Sequence, residues 1–277
     1  MTEVDAVVDR LRTALAGVGR LGVAYSGGVD SALLAALAVR ALGPGNVVAV
    51  LGVSPSLAQD ERSAAHEVAR FIGLPVVEVA THEGESEAYR ANGPDRCYHC
   101  KDELFTRISD EVVTRLGLDA VAYGENADDA RRPDRPGSRA ATEHAVLRPL
   151  ADLELGKADV RALARDLELP CADKPAAPCL ASRIPHFTVV DPAKLAQVEA
   201  AEHAVRALGF RDCRVRHHGD VARVELLSPE LARAVDPDVR DRLVAAVRAA
   251  GFTFVALDLA GIQSGAFTLP LVLVTHG

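Results

Sequence analysis

The sequence predicts an α/β protein, a doubly wound parallel sheet joined to a smaller C-terminal α+β domain. Short apolar runs alternate with helix-forming runs through the first half of the chain, the pattern of strands joined by crossover helices. Pro170, Pro175, Pro178, Pro185 and Pro192 then break any long element. Beyond them, helices flank two strands of alternating polarity, which suits a small mixed module.

Each element follows from local pattern. Val4, Val7, Val8, Leu11 and Leu15 recur at helical spacing and predict an amphipathic helix ended by Gly17 and Gly19. Residues 21–25 (LGVAY) form a strand, and 32–42 (ALLAALAVRAL) a strong helix former stopped by Gly43-Pro44-Gly45. Further strands are expected at 47–53, 76–81 and 120–123, with a helix over 58–72. The expected organisation is a domain over 1–170, a cysteine-containing linker over 171–192 and a small domain over 193–277. That small domain has helices at 193–208 and 239–250 and strands at 213–217, 221–227 and 253–257. The Arg/Pro-rich stretch 131–139 predicts a mobile loop.

At 277 residues the chain can bury a sizeable core in two domains. A net charge of −8 leaves no global basic field to gather nucleic acid or anionic lipid, so a small-molecule substrate is expected and no stable nucleic-acid partner. The acidic amphipathic start lacks the features of a signal peptide, and no apolar run of about 18 residues is present, so a cytoplasmic location without a membrane partner is expected. Five cysteines, an odd number, point to metal binding or catalysis rather than a disulfide framework.

Ser26-Gly27-Gly28-Val29-Asp30-Ser31 lies where a strand feeds a helix, so backbone N–H groups and the helix dipole converge on one anion site. Ser26 and Ser31 add hydroxyl donors, whereas Asp30 suits a Mg²⁺ ion between phosphates. No Gly-Lys-Ser/Thr follows, which excludes a Walker A loop. A serine-capped tight turn is the bland alternative. Cys97-Tyr98-His99-Cys100-Lys101 puts two thiols on one turn, suited to a metal, a cluster or a redox pair, with a structural zinc as the plainer reading. Cys179 lies in the proline-rich stretch beside Ser182 and Arg183, which are suited to a phosphate. Arg183 and Lys101 are also suited to lower thiol pKa values. Arg214 and Arg216 alternate around Val215 and share a strand face suited to a substrate phosphate, with Glu225 as a weaker companion. His217-His218 fits a hairpin turn better than a metal, because neighbours on a strand diverge. Cys171 and Cys213 are expected in the core.

SGGVDS after a strand resembles the signature of the PP-loop ATP pyrophosphatases, the class of NAD and GMP synthetases and tRNA thiolation enzymes. The resemblance implies an adenine nucleotide alpha hydrolase-like fold, ATP with Mg²⁺, and adenylation of a substrate oxygen. It places Ser26, Gly27, Gly28, Asp30 and Ser31 at ATP, with Asp30 toward Mg²⁺. Gly124-Glu125-Asn126-Ala127-Asp128-Asp129 resembles a second patch of that class and adds Gly124, Asn126 and Asp128, and Val53 falls where related enzymes contact adenosine.

Together SGGVDS, DRCYHCKDELF (95–105), YGENADD (123–129), DKPAAPCLASRIP (173–185) and RVRHHGDVARVEL (214–226) resemble the LarE family over most of the chain. The resemblance implies ATP-dependent sulfur transfer to a pyridinium mononucleotide on the way to a nickel-pincer cofactor. The implied site residues are Cys179, Cys97, Cys100, Lys101 and Arg183, with Ser182, Arg214 and Glu225 toward the substrate phosphate. That family holds two sulfur strategies. In one, the cysteine matching Cys179 gives up its own sulfur and becomes dehydroalanine; in the other, Cys97, Cys100 and Cys179 hold a [4Fe-4S] cluster that carries an extra sulfide. All three thiols are present, which favours the cluster. A homo-oligomer, a pyridinium carboxylase and a nickel insertase are implied as partners or pathway neighbours. A tRNA thiolation ATPase and a non-catalytic nucleotide-sensing module are the competing readings; the acidic balance opposes the first and the intact acidic and thiol positions the second.

Overall fold

The computed structural model describes residues 2–132 and 136–263. The chain divides into two compact units, Met1–Glu83 with Cys97–Ala177, and Gly84–Arg96 with Pro178–Gly277. The stretch 171–192, expected as a linker, is thus divided between the units, and residues 84–96 belong with the second. The reason is local: Asn92 and Arg96 hydrogen-bond to main-chain carbonyls of residues 181–188.

In the first unit, β1 (Leu21–Ala24), β2 (Val47–Val53), β3 (Val76–Ala80) and β4 (Ala120–Tyr123) form a parallel sheet in the order β3-β2-β1-β4. Side chains on a strand alternate between faces. Accordingly Val47, Ala49 and Leu51 of β2 enter one apolar core, while Val48 and Val50 enter another with Phe105, Ile108 and Val112. Both sheet faces are covered, as a doubly wound sheet requires. Helix α1 (Glu3–Ala14) begins with a reciprocal capping box in which Asp5 N–H donates to Thr2 Oγ1 and Thr2 N–H to Asp5 Oδ2. Helix α2 (Val29–Leu42) is buried from Val29 to Ala38 except at Asp30, which explains why it is apolar all round rather than amphipathic. Helix α3 spans Gln59–Ile72.

The chain moves outward from β1 to β2 to β3, then returns to place β4 on the other side of β1. This reversal makes a topological switch point at the carboxyl ends of β1 and β4, where open α/β sheets bind ligands. SGGVDS follows β1 and GENADD follows β4, so the two motifs flank that point.

The expected loop over 131–139 is corrected in part: Pro136–Glu143 is a helix with Ala140 and Ala141 buried, and residues 133–135 lie outside the described residues. A π-helical turn, Ile108–Val113, and a helix at Lys157–Asp166 were not legible from periodicity.

The second unit pairs β5 (Cys213–His218) antiparallel to β6 (Val221–Leu226), with Gly219 at φ 64° in the turn, and β7 (Phe254–Leu257) parallel to β6. Helices Pro192–Ala207 and Pro237–Ala249 bury Leu195, Val198, Val205, Leu243 and Val247 in this unit. The expected hairpin is present: His217 is buried against Phe252 and Gln197, and His218 is exposed. Among the described residues no helix is long and apolar enough to cross a membrane.

Candidate functional site

The phosphate loop is held by its own serines. Ser31 Oγ donates to Gly28 O at 3.1 Å, lies 3.2 Å from Ser26 Oγ and accepts from Ser26 N–H at 3.2 Å. Gly27 adopts φ 71°, and a Cβ there would lie 2.6 Å from Ala65 Cα, so helix α3 seats against the loop at a position open to glycine alone. Gly28 caps α2 without a side chain, leaving the first N–H groups of that helix for an anion. Gly124, expected at ATP, lies against the phosphate loop itself. A Cβ on it would meet Ser31 N at 2.6 Å and Asp30 C at 2.7 Å, so the end of β4 touches the loop backbone. Gly124→Ala is therefore expected to push the loop out of register, costing about 1–3 kcal/mol of stability and more than about tenfold in ATP-dependent turnover. Calorimetry and a pyrophosphate assay check it, and an unchanged protein would contradict the contact.

Asp30 is engaged on both oxygens. Oδ2 accepts from Lys157 Nζ at 2.5 Å and Oδ1 from Asn126 Nδ2 at 2.9 Å. Asn126 also caps the short helix Ala127–Ala130, accepting from Asp129 N–H at 2.9 Å. Asp128 Oδ2 accepts the main-chain N–H of Lys157 at 2.7 Å. The acids of the second motif thus seat the start of the Lys157–Asp166 helix, which delivers an ammonium to the phosphate loop. Sequence reasoning missed Lys157. The available signal was Gly156-Lys157 opening an amphipathic run, a helix start that points a cation sideways. At the end of β2, Val53 O accepts Thr81 N–H at 3.0 Å, and Ser54 Oγ donates to buried Glu83 at 2.5 Å.

Cys97 and Cys100 lie one turn apart on the Arg96–Arg107 helix, Cys97 exposed and Cys100 half-buried. Tyr98 between them donates to Glu143 Oε2 at 2.6 Å under the Arg139 guanidinium, 3.9 Å from the ring centroid. Lys101 Nζ stands 4.3 Å over the Tyr123 ring. Tyr123 donates to buried Glu125 at 2.6 Å, and burial together with that carboxylate raises the phenol's pKa. Ser138 also hydrogen-bonds Glu125. The ammonium of Lys101 is thereby placed over an aromatic face in this unit.

Cys179 is exposed in the second unit, at the head of the turn Leu180–Arg183. Arg183, expected at a phosphate, braces that turn. It is buried, pairs with Glu202 at 2.8 and 3.1 Å, and donates from Nη1 to Pro178 O at 2.6 Å, Cys179 O at 3.3 Å and Ser182 Oγ at 3.0 Å. Arg216 forms a bidentate pair with Glu225 at 2.9 Å on both oxygens and reaches Ser182 O at 2.9 Å. Glu225, expected toward the substrate phosphate, is the counterion that holds Arg216. Arg214 donates to Gln263 O at 3.0 Å; burial, then the charges of Arg183 and Arg216, lower its pKa. The three guanidinium groups lie in one region, two of them paired with the carboxylates of Glu202 and Glu225.

Cys171 and Cys213 are buried as expected, and burial raises both thiol pKa values, that of Cys213 to about 12. Among the described residues no three His, Cys, Asp or Glu side chains are gathered as a metal-ligand group. Cys97 and Cys100 belong to the first unit and Cys179 to the second.

Residues 3–104 match the family model of NAD synthase. A protein of Synechocystis sp. described as uncharacterized is 40% identical over 262 residues, 95% of this chain and 97% of that one. The NH(3)-dependent NAD(+) synthetase of Methanococcoides burtonii is 38% identical over 124 residues, 44% of this chain and 45% of its own. The pyridinium-3,5-bisthiocarboxylic acid mononucleotide synthase of Lactiplantibacillus plantarum is 37% identical over 256 residues, 92% of this chain and 91% of its own. Identity of that order along both units, on a parallel sheet whose switch point carries SGGVDS and GENADD, means that this chain belongs to the LarE family, with a PP-loop, NAD synthase-like domain.

Proposed function

We propose that this chain is an ATP-dependent sulfurtransferase that converts a carboxylate of a pyridinium dicarboxylate mononucleotide to a thiocarboxylate. The observation that carries this reading is the Cys179 turn, an exposed thiol whose neighbouring carbonyls are braced by buried Arg183 in the unit that also buries Arg214 and Arg216.

A carboxylate oxygen is a poor leaving group, so it is first activated. The substrate carboxylate attacks the α-phosphorus of ATP, and pyrophosphate departs from the loop of Ser26, Gly27, Gly28 and Ser31. Asp30 would hold Mg²⁺, a hard cation suited to one carboxylate oxygen, phosphate oxygens and water. Lys157, paired with Asp30 at 2.5 Å, would then turn to the phosphates, so that each charge keeps a partner. A sulfur nucleophile next attacks the acyl carbon, and AMP leaves with the bonding pair. Arg214 and Arg216, with Ser182, would hold the substrate phosphate. Lys101 would meet the anionic substrate.

The sulfur has two sources in such a chain. Cys179 Sγ would form a thioester; loss of the Cα proton and cleavage of Cβ–Sγ then release the thiocarboxylate and leave dehydroalanine. Alternatively Cys97, Cys100 and Cys179, three thiols of suitable donor type outside any disulfide, would bind a [4Fe-4S] cluster, which supplies a replaceable sulfide when bound. The presence of all three thiols favours the cluster. A homo-oligomer, an enzyme that carboxylates the pyridinium ring and one that inserts nickel would accompany this activity.

Anaerobic reconstitution with iron and sulfide is expected to give a brown protein whose charge-transfer absorbance is lost in Cys97→Ser and in Cys179→Ser. A colourless wild type that loses one H₂S from Cys179 in a single turnover identifies the sacrificial route instead. No AMP release with the mononucleotide under either condition overturns the function.

A further inference from the structure

We propose that Asn92 and Arg96 are positioning residues for the turn that carries Cys179, an inference that rests on the sulfur-transfer reading above. Asn92 is fully buried, and its backbone lies in the left-handed region at φ 56°. Its amide nitrogen donates to the carbonyls of Ile184 at 3.3 Å, Pro185 at 2.7 Å and Thr188 at 3.1 Å. Its amide oxygen accepts from Arg96 Nη1 at 2.5 Å, and the same Arg96 nitrogen donates to Ala181 O at 2.9 Å. Three carbonyls on one side and a guanidinium on the other fix which end of the amide is nitrogen. The main chain of Asn92 takes part as well: its carbonyl accepts Phe187 N–H at 3.1 Å and lies 3.2 Å from His186 Nδ1.

Residues 181–188 are therefore laid along a template made by 92–96, a short segment remote in sequence. Arg183 holds the carbonyls of Pro178 and Cys179, so the turn is pinned on the near side of the thiol by one guanidinium and beyond it by another. Phe187, a bulky residue at φ 64° and 68% exposed, shows how closely this template dictates the backbone, since nothing about a phenylalanine favours that conformation. Such restraint has a chemical use. A sulfur nucleophile must meet the acyl carbon at about 3–3.5 Å, and a misplacement of about 1 Å costs about a hundredfold in rate. Adenylation takes place at phosphorus and does not use the thiol that this turn carries. Loosening the turn should uncouple the two half-reactions: pyrophosphate is released, and water in place of sulfur attacks the acyl-adenylate, giving back the carboxylate and AMP.

The test uses Asn92→Gly, which keeps the left-handed backbone accessible and removes only the amide, and Arg96→Lys, which keeps the charge but replaces the planar guanidinium that bonds both Asn92 and Ala181 with an ammonium of different reach. Each full-length protein, treated with iron and sulfide like the wild type, is assayed for AMP released and thiocarboxylate formed. The ratio of thiocarboxylate to AMP is expected to fall at least about tenfold in Asn92→Gly and less in Arg96→Lys, while pyrophosphate release at saturating mononucleotide, the readout of adenylation, stays within about twofold of wild type. A ratio equal to wild type, whatever the melting temperature, overturns the positioning role. Amide hydrogen exchange gives a readout independent of activity: residues 180–190 should lose protection in Asn92→Gly while β5 and β6 keep theirs, and unchanged protection also overturns it. If the wild type itself releases no AMP, the sulfur-transfer reading has failed, and hydrogen exchange alone then decides whether the clasp holds the turn.

Discussion

Replacing Lys157 with methionine is expected to lower ATP-dependent AMP release by about a hundredfold to a thousandfold while changing the melting temperature little. The asymmetry follows from where the ammonium sits. Its Nζ is 2.5 Å from Asp30 Oδ2, and the two side chains are 39% and 22% exposed, so the ion pair itself contributes only about 0.2–1 kcal/mol to folding. In turnover the same charge would stand beside a phosphate chain that gains negative charge as pyrophosphate departs. Removing one preorganised donor from such a position costs about a hundredfold to a thousandfold. Lys157→Arg should recover part of the rate, because it keeps the charge and not the compact geometry of an ammonium. The measurement is pyrophosphate release at saturating mononucleotide and varied ATP. Turnover within about threefold of wild type would remove Lys157 from the reaction and leave it as a helix-start ion pair.

Glu225→Ala should be the most destabilising single change in the second unit, at about 3–5 kcal/mol, because it strands a buried guanidinium. Glu225 and Arg216 are 1% and 3% exposed at the side chain, joined by two bonds of 2.9 Å, and Arg223 adds a third at 3.1 Å. Glu225→Gln preserves shape and one acceptor, so it should lose less stability. Its effect should appear chiefly in affinity for the mononucleotide, since Arg216 would no longer be held in line with Arg214. Urea unfolding of both variants, with substrate titration of Glu225→Gln, checks this. A loss below about 1 kcal/mol in Glu225→Ala would mean that water reaches Arg216 and that the pair is not sealed.

Much of the first unit was legible in the pattern of residues. The four strands fall where apolar runs lie between glycine and proline punctuation, and Val47–Val53 and Ala120–Tyr123 match their expected spans. SGGVDS could be read because its chemistry is local: glycines, hydroxyls and a helix start are adjacent in the chain. Cys171 and Cys213 could be placed in the core because the one follows Pro170 at the end of a predicted helix and the other begins a predicted strand, where a thiol behaves as a small hydrophobe. Arg183 and Glu225 were recognised as site residues, yet their partners were not. A guanidinium beside a thiol reads as a phosphate ligand, and nothing nearby in the chain says that Glu202, nineteen positions on, pairs with it.

The sequence by itself determined the alternation of strand and helix, the phosphate loop, the thiol positions and, through five motifs in order, the family. These are properties of short segments, where periodicity, turn chemistry and donor type act between near neighbours. Only the tertiary structure decided that Lys157 reaches Asp30 across 127 positions, that Gly124 must be glycine because of Ser31, and that residues 84–96 belong with the second unit. It also decided that Asn92, an ordinary loop residue in sequence, is buried among three carbonyls. The physical reason is the same in each case: a buried polar group must find its partner wherever the fold brings one within about 3 Å, and separation along the chain carries no record of that choice.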